Sequence, residues 1–252
     1  MRNFKITIEY DGTNYRGWQI QNRKNKNSKL KTIQEEIENA LNRVFGKNIY
    51  LIGSGRTDKG VHALGQVANF KCETHLTTID IRNALNSYLP PDIRIIKVEE
   101  VEENFHARFL AKSKIYRYII FNRKIPSPFY RNYSWWIKEK LDFQAMRKAT
   151  RIFLGKHNFK AFASVDPKRK SKNFVRTIKN FSLKKDGNFL VFEIEADGFL
   201  YNMVRNIIGT VIEVGKGKLT ILDLKKILKS KDRRLAGPPA PSQGLFLVRV
   251  KY

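Results

Sequence analysis

The segment Gly53-Ser54-Gly55-Arg56-Thr57-Asp58-Lys59-Gly60-Val61-His62-Ala63 constrains the fold more than any other stretch of the chain. Apolar runs flank it, Ile49 to Ile52 before and Gln66 to Phe70 after. The pattern predicts a strand, a tight glycine-rich loop and a second strand. Such a loop holds one carboxylate, Asp58, at the edge of a sheet, with Arg56 beside it. Its glycines let the backbone approach a ligand closely.

The remaining pattern is α+β, with strands and helices intermixed. Phe4, Ile6, Ile8 and Tyr10 alternate at period two and predict a half-buried strand over 4–10. Thr32 and Glu35 have capping-box spacing. Ile33, Ile37, Leu41 and Val44 then recur at helical spacing, and Gly46 can stop that helix. A second helix is predicted over 79–88, with Ile81, Leu85 and Tyr88 on one face, before Pro90-Pro91. Strands follow at 93–98 and 115–121, and a helix from Leu141 to Leu154 with Gly155 beyond its end. Residues 177–183 and 189–196 read as a hairpin joined by Lys185-Asp186-Gly187-Asn188. A broad apolar helix over 199–214, a short one near 221–229 and a strand near 245–250 complete the pattern. A new block opens near residue 104, so two α+β domains are expected, 1–103 and 104–252.

Charge narrows the class of partner. Lys and Arg number 49 against 23 Asp and Glu, a net +26 over 252 residues. Such a surface attracts polyanions, and nucleic acid is the leading partner, ahead of a membrane surface. Two basic loops concentrate it: 22–31, with Arg23, Lys24, Lys26, Lys29 and Lys31, and 166–173, with Lys168, Arg169, Lys170 and Lys172. No apolar run reaches the roughly 18 residues of a membrane span, and no signal-peptide pattern precedes the first strand. A lone Cys72 excludes an internal disulfide framework and gives no sign of a zinc cluster. The chain reads as cytoplasmic. Gly53-x-Gly55 lacks the third glycine and following helix of a dinucleotide fingerprint, so no nucleotide cofactor is implied.

Individual residues carry a bland reading beside a chemical one. Asp in Thr-Asp-Lys-Gly is a good turn former, because its side chain can bond the local backbone. It is also the one carboxylate of a loop in which Arg56 favours the ionised form. Glycoside hydrolysis ordinarily needs two carboxylates, and this block offers one. Arg56 could equally contact phosphate. Tyr116 and Tyr118, in Lys114-Ile115-Tyr116-Arg117-Tyr118, share one strand face, and both could be core. Arg205 is a polar residue in a largely apolar helix. It must reach a carboxylate, a phosphate or solvent, since a buried unpartnered Arg is very costly. Leu245 and Leu247 read as sheet core. His62 and His106 pair into no metal or nucleophilic site and read as structural hydrogen bonders or RNA contacts.

The block Gly55-Arg56-Thr57-Asp58-Lys59-Gly60-Val61-His62 resembles the Gly-Arg-Thr-Asp-x-Gly-Val-His motif of the tRNA pseudouridine synthase I family, also called synthase A. Family-like blocks continue along nearly the whole chain, among them Phe105-His106-Ala107-Arg108-Phe109, the Tyr116 strand, Met203-Val204-Arg205-Asn206 and Gly244-Leu245-Phe246-Leu247-Val248. The resemblance implies a fold of two α+β domains sharing an extended, mostly antiparallel sheet around a central basic cleft. It implies an isomerase that converts uridine to pseudouridine at tRNA positions 38, 39 and 40, as a homodimer, without cofactor or metal. By the same resemblance Asp58 is the catalytic carboxylate, and Tyr116 stacks on the target base. Arg205 lies in the cleft and pairs with Asp58. Arg56 either holds Asp58 or fills the space left by a flipped nucleotide. The segment between Gln21 and Thr32 is longer and more basic than is usual in the family. Two other readings compete: a non-catalytic RNA-binding protein on the same fold, which could dispense with Asp58, and an RNA glycosidase or nuclease, which should show a second carboxylate or a metal cluster.

Overall fold

The computed structural model describes residues 1–19, 31–164 and 173–252. Both basic loops fall outside the described residues, apart from Lys31 and Asn173 at their ends. The chain forms two compact units, Met1–Lys112 with Phe246–Tyr252, and Ser113–Leu245. In chain order the first unit contributes β1 (Arg2–Tyr10), α1 (Ile33–Phe45), β2 (Ile52–Gly53), β3 (His62–Cys72), α2 (Thr78–Tyr88) and β4 (Ile93–Val101). The second contributes β5 (Ser113–Asn122), β6 (Trp135–Ile137), α3 (Phe143–Arg151), β7 (Gly155–Asn158), β8 (Val175–Asp186), β9 (Phe189–Ala196), α4 (Met203–Gly215) and α5 (Ile221–Ser230). Strand β10 (Leu245–Lys251) closes the chain.

In the first unit β1 lies between β4 and β3, antiparallel to both. The other edge of β3 takes β2 antiparallel near Ala68 and β10 in parallel at His62 and Ala63. The alternation of Phe4, Ile6, Ile8 and Tyr10 is borne out: all four are buried, and Phe4 sits opposite Phe70 and Ile6 opposite Ala68. Thr32 and Glu35 form the capping box at the start of α1, and Gly46 ends the helix at φ 65°. On α2 a second capping box joins Thr77 and Asp80. Ile81 and Leu85 are buried there, whereas Tyr88 is half exposed and leaves the expected apolar face. Residues 104–112 and β10 from Phe246 onward group with this unit. The pairing of Phe246 with His62 is one reason.

In the second unit the sheet runs β5, β9, β8, β7, all antiparallel, with β6 parallel beside β5. The β8–β9 hairpin turns at Gly187, whose φ is 53°. Helix α3 is shorter than its apolar pattern. Asp142 takes the N-cap, accepting the Ala145 N–H, so Leu141 stays outside. Helix α4 starts at Met203 rather than 199 because Asn202 adopts the left-handed conformation at φ 58°. Nearly every residue of α4 is buried, as the apolar pattern requires of a central helix.

Candidate active site

Strand β2 delivers the chain into the Asp58 loop and β3 takes it away. The Val61 N–H donates to the Asp58 carbonyl at 3.1 Å. That closes a four-residue turn with Gly60 third, at φ 75°, a position that suits glycine. The segment 10–18 clamps the loop from beside it. The Trp18 N–H donates to the Thr57 carbonyl at 3.0 Å, and the buried Tyr10 and Thr57 hydroxyls lie 2.8 Å apart. A Cβ on Gly17 would lie 2.5 Å from the Thr57 carbonyl oxygen, and one on Gly12 2.0 Å from that of Val61. At the loop's other end Ser54 donates to the Gln66 side chain at 2.7 Å, and Gln66 donates back to the Gly55 carbonyl at 3.0 Å. Asp58 is therefore half-buried on fixed backbone, and Arg56 is exposed two residues away.

His62 follows at the root of the loop, buried. Its Nδ1 accepts the Gly12 N–H at 3.1 Å, and its ring stacks on Phe246 with centroids 4.7 Å apart. These contacts make it a structural hydrogen bonder that ties Gly12 and β10 to β3.

Tyr116 and Arg205 belong to the second unit. Tyr116 lies on β5 opposite Ile194 of β9. Its ring is buried and meets Phe199 edge-on at 5.1 Å. Tyr118, two residues on and fully buried, donates its hydroxyl to the Pro241 carbonyl at 2.7 Å. Burial pushes its pKa well above that of an ordinary tyrosine, and the nearby Arg205 charge works in the opposite direction. Arg205 sits in the first turn of α4, half-buried. Its Nε donates to the Ala240 carbonyl at 2.7 Å, and a terminal nitrogen donates to the Asn202 side chain at 3.2 Å. The Ala240 N–H donates in turn to the Arg205 carbonyl at 3.0 Å. Leu245 and Leu247 are buried, Leu247 completely.

Several supporting residues escape the sequence reading. Tyr10, Gly12, Gly17, Trp18 and Gln66 hold the Asp58 loop. Gly12 belongs to an Asp11-Gly12 turn signal that does not reveal its contact with the Asp58 loop, and Gly17 has no local motif to mark it. Gln66 is the detectable one, a polar residue opening an apolar run. In the second unit the Pro-rich segment 237–241 packs on α4. A Cβ on Gly209 would lie 1.8 Å from the Pro238 carbonyl oxygen, so the helix and this segment touch backbone to backbone. Asn206, fully buried, donates to the Phe162 carbonyl and accepts from Arg233, both at 2.8 Å. Among the described residues no group of three or more His, Cys, Asp or Glu could hold a metal ion. Among the same residues no helix is long and apolar enough to cross a membrane.

The family model described as tRNA pseudouridine synthase matches residues 6–110 and 149–252. The chain is 48% identical to the tRNA pseudouridine synthase A of Thermoanaerobacter sp. (strain X514), across all of both chains. It is equally 48% identical to the tRNA pseudouridine synthase A of Acetivibrio thermocellus, again over the full length of each. Among solved structures, an archaeal box H/ACA sRNP Nop10-Cbf5 complex aligns with 92% of this chain and 59% of its own, at 11% identity and a TM-score of 0.35. With matches that run from β1 through the Asp58 loop to the closing strand, the chain belongs to the tRNA pseudouridine synthase family and is an isomerase.

Proposed function

We propose that this protein isomerises uridine to pseudouridine in the anticodon stem-loop of tRNA, at positions 38, 39 and 40. The observation that carries the reading is Asp58, a half-buried carboxylate on a loop fixed from both sides by backbone hydrogen bonds, in a chain of this family. The reaction breaks the bond between the ribose and uracil N1. The base turns, bonds the same ribose carbon through C5, and the C5 proton is lost while N1 gains one. Atoms and electrons balance within the nucleotide, so no redox or energy input is required.

A base in a stem must be extruded before such chemistry. Arg56, exposed two residues from Asp58, would hold that carboxylate, fill the space left or meet a phosphate. Tyr116 offers an aromatic ring to uracil and a hydroxyl to assist proton removal. Arg205 is held at the head of α4 by the Ala240 carbonyl and Asn202. Its pairing with Asp58 is an inference from the resemblance alone. The assignment of Asp58 as the catalytic group is likewise ours, as are a homodimer and a cytoplasmic location. The net charge of +26 suits a tRNA partner.

The test is to map pseudouridine position by position in unmodified tRNA incubated with the wild type and with Asp58→Asn. Wild type should place pseudouridine at 38–40. The amide keeps the side-chain shape without the charge, so the variant should make none while binding tRNA within a few-fold of wild type. Modification only elsewhere in the tRNA would relocate the target, and substantial turnover by Asp58→Asn would remove Asp58 from the chemistry.

A further inference from the structure

Strands β1 and β3 each bury an asparagine, Asn3 at 1% and Asn69 at 2% exposure. Asparagine is depleted in strands, and a buried amide must find partners. Here both amides turn to the same loop. Asn69 donates to the Asn3 side-chain oxygen at 3.0 Å and accepts the Ala107 N–H at 2.9 Å. Asn3 donates to the carbonyls of Glu102 and Phe105, both at 3.0 Å. Tyr252 adds a third anchor, donating to the Ala107 carbonyl at 2.7 Å with its ring 5.0 Å from that of Phe105.

What this scaffold holds up is a helical turn at the surface. The Leu110 N–H donates to the His106 carbonyl at 3.1 Å. The His106 Nδ1 accepts the N–H groups of Arg108 at 3.2 Å and Phe109 at 3.3 Å. The imidazole then stacks on the Phe109 ring with centroids 4.2 Å apart and planes 29° from parallel. Phe109 is nevertheless 74% exposed. The exposed Arg108 guanidinium lies 5.7 Å from the same ring centroid. A phenyl ring kept in water, backed by a second ring and fixed by buried amides, is preorganised for a flat ligand.

We propose that Phe109, backed by His106 and flanked by Arg108, is a stacking platform for an unpaired base of the RNA, with Arg108 on an adjoining phosphate. The proposal rests on the reading of tRNA as the substrate. The chemistry favours RNA over a protein partner: an aromatic face accepts any base, and an exposed guanidinium on a chain of net charge +26 seeks phosphate. Of the loop's two carboxylates, Glu103 is engaged by Lys71 at 3.4 Å. The platform is separate from the Asp58 loop in sequence and supplies no reacting group, so its effect belongs in affinity and not in the chemical step.

The experiment measures tRNA binding by wild type, Phe109→Ala, Phe109→Leu, Phe109→Trp and Arg108→Gln across a salt series, with single-turnover rates at saturating enzyme. A duplex RNA lacking unpaired bases serves as the second ligand. One stacked base is worth roughly 5–150-fold in affinity. Phe109→Ala and Phe109→Leu should both lose that factor for tRNA, Phe109→Trp should keep it, and binding to the duplex should not change. Arg108→Gln should lower the salt slope by about one phosphate contact. Saturating single-turnover rates should match wild type throughout. Unchanged tRNA affinity in Phe109→Ala overturns the proposal. So does full affinity in Phe109→Leu, which would mean a merely apolar contact, or a change of oligomeric mass in Phe109→Ala, which would make the ring an interface between copies. Wild type that binds tRNA through Phe109 yet forms no pseudouridine would sink the catalytic reading and leave the platform standing. Wild type that binds no tRNA would overturn both.

Discussion

Around Asp58 three carbonyls of the loop are held, with the Tyr10–Thr57 and Ser54–Gln66 side-chain pairs beside them. The Thr57 carbonyl is held by Trp18, the Asp58 carbonyl by Val61 and the Gly55 carbonyl by Gln66. Gly12 and Gly17 come so close to the loop that neither has room for a Cβ. Around Tyr116 and Arg205 the restraints act on side chains carried by a regular strand and a regular helix. Arg205 is anchored by the Ala240 carbonyl and Tyr118 by the next one, Pro241. A loop held through its backbone cannot tolerate a change in the glycines beneath it. A side-chain-held residue behaves the other way: each group removed has its own separable effect.

The strongest test of this contrast is Gly17→Ala set against Gly46→Ala. Both glycines have positive φ, 96° and 65°, and each substitution incurs backbone strain of roughly 1–3 kcal/mol. A Cβ on Gly46 meets nothing within 4 Å, whereas on Gly17 it strikes the loop at Thr57 and Asp58. Gly46→Ala should therefore melt earlier yet retain turnover. Gly17→Ala should lose nearly all isomerisation even at temperatures where circular dichroism shows it folded. Equal turnover in the two variants would break the claim that the loop is positioned through its backbone.

Tyr116 tests the side-chain half. Tyr116→Phe keeps the ring and its edge-on contact with Phe199 and removes only the hydroxyl. If that hydroxyl assists proton loss from C5, the single-turnover rate should fall by roughly 10²–10⁴-fold with tRNA affinity and stability retained. Tyr116→Leu should lose stacking too and should not recover at higher tRNA concentration. A Tyr116→Phe enzyme as fast as wild type would leave the ring as the only functional part.

The same contrast explains what the sequence makes legible. Regular elements announce themselves: the alternation from Phe4 to Tyr10, the Thr32–Glu35 box and the apolar run of α4 are local patterns, and an element forms at each. Asp58 is legible because its support includes a local turn whose glycine is a neighbour in sequence. Gly17 and Gly12 support the same loop from a distant stretch of chain, and nothing in one short window records that contact, whereas Gln66 shows only as a polar residue opening an apolar run. Asn3 and Asn69 are hidden for the same reason, since a buried amide looks like any polar strand residue until its partners at 102–107 are in place. Pattern alone does not locate the start of α4: Leu200 is apolar at a helical spacing, but the left-handed Asn202 breaks the helix there. The limits of the first unit depend on β10 returning to β3, a pairing of residues far apart in sequence.

The smallest expected effect is that of Tyr118→Phe, and it fixes the register of the strand. Tyr118 shares a face with Tyr116 but is committed to packing: it is fully buried and its hydroxyl donates to Pro241. Its raised pKa keeps that hydroxyl protonated and donating across the working pH range, so no pH dependence should arise from it. Removing the hydroxyl leaves the Pro241 carbonyl without this donor, at a net cost of about 0.5–1.5 kcal/mol. In a chain of this size that lowers Tm by roughly 2–4 °C per kcal/mol. The neighbouring Ala240 carbonyl still holds Arg205, so turnover should stay within a few-fold of wild type. Thermal unfolding beside single-turnover assays separates the two readouts. If Tyr118→Phe instead slows the reaction as much as Tyr116→Phe is expected to, the family's stacking tyrosine has been placed on the wrong residue of β5, and the side chain anchored to Pro241 is the one that meets the base.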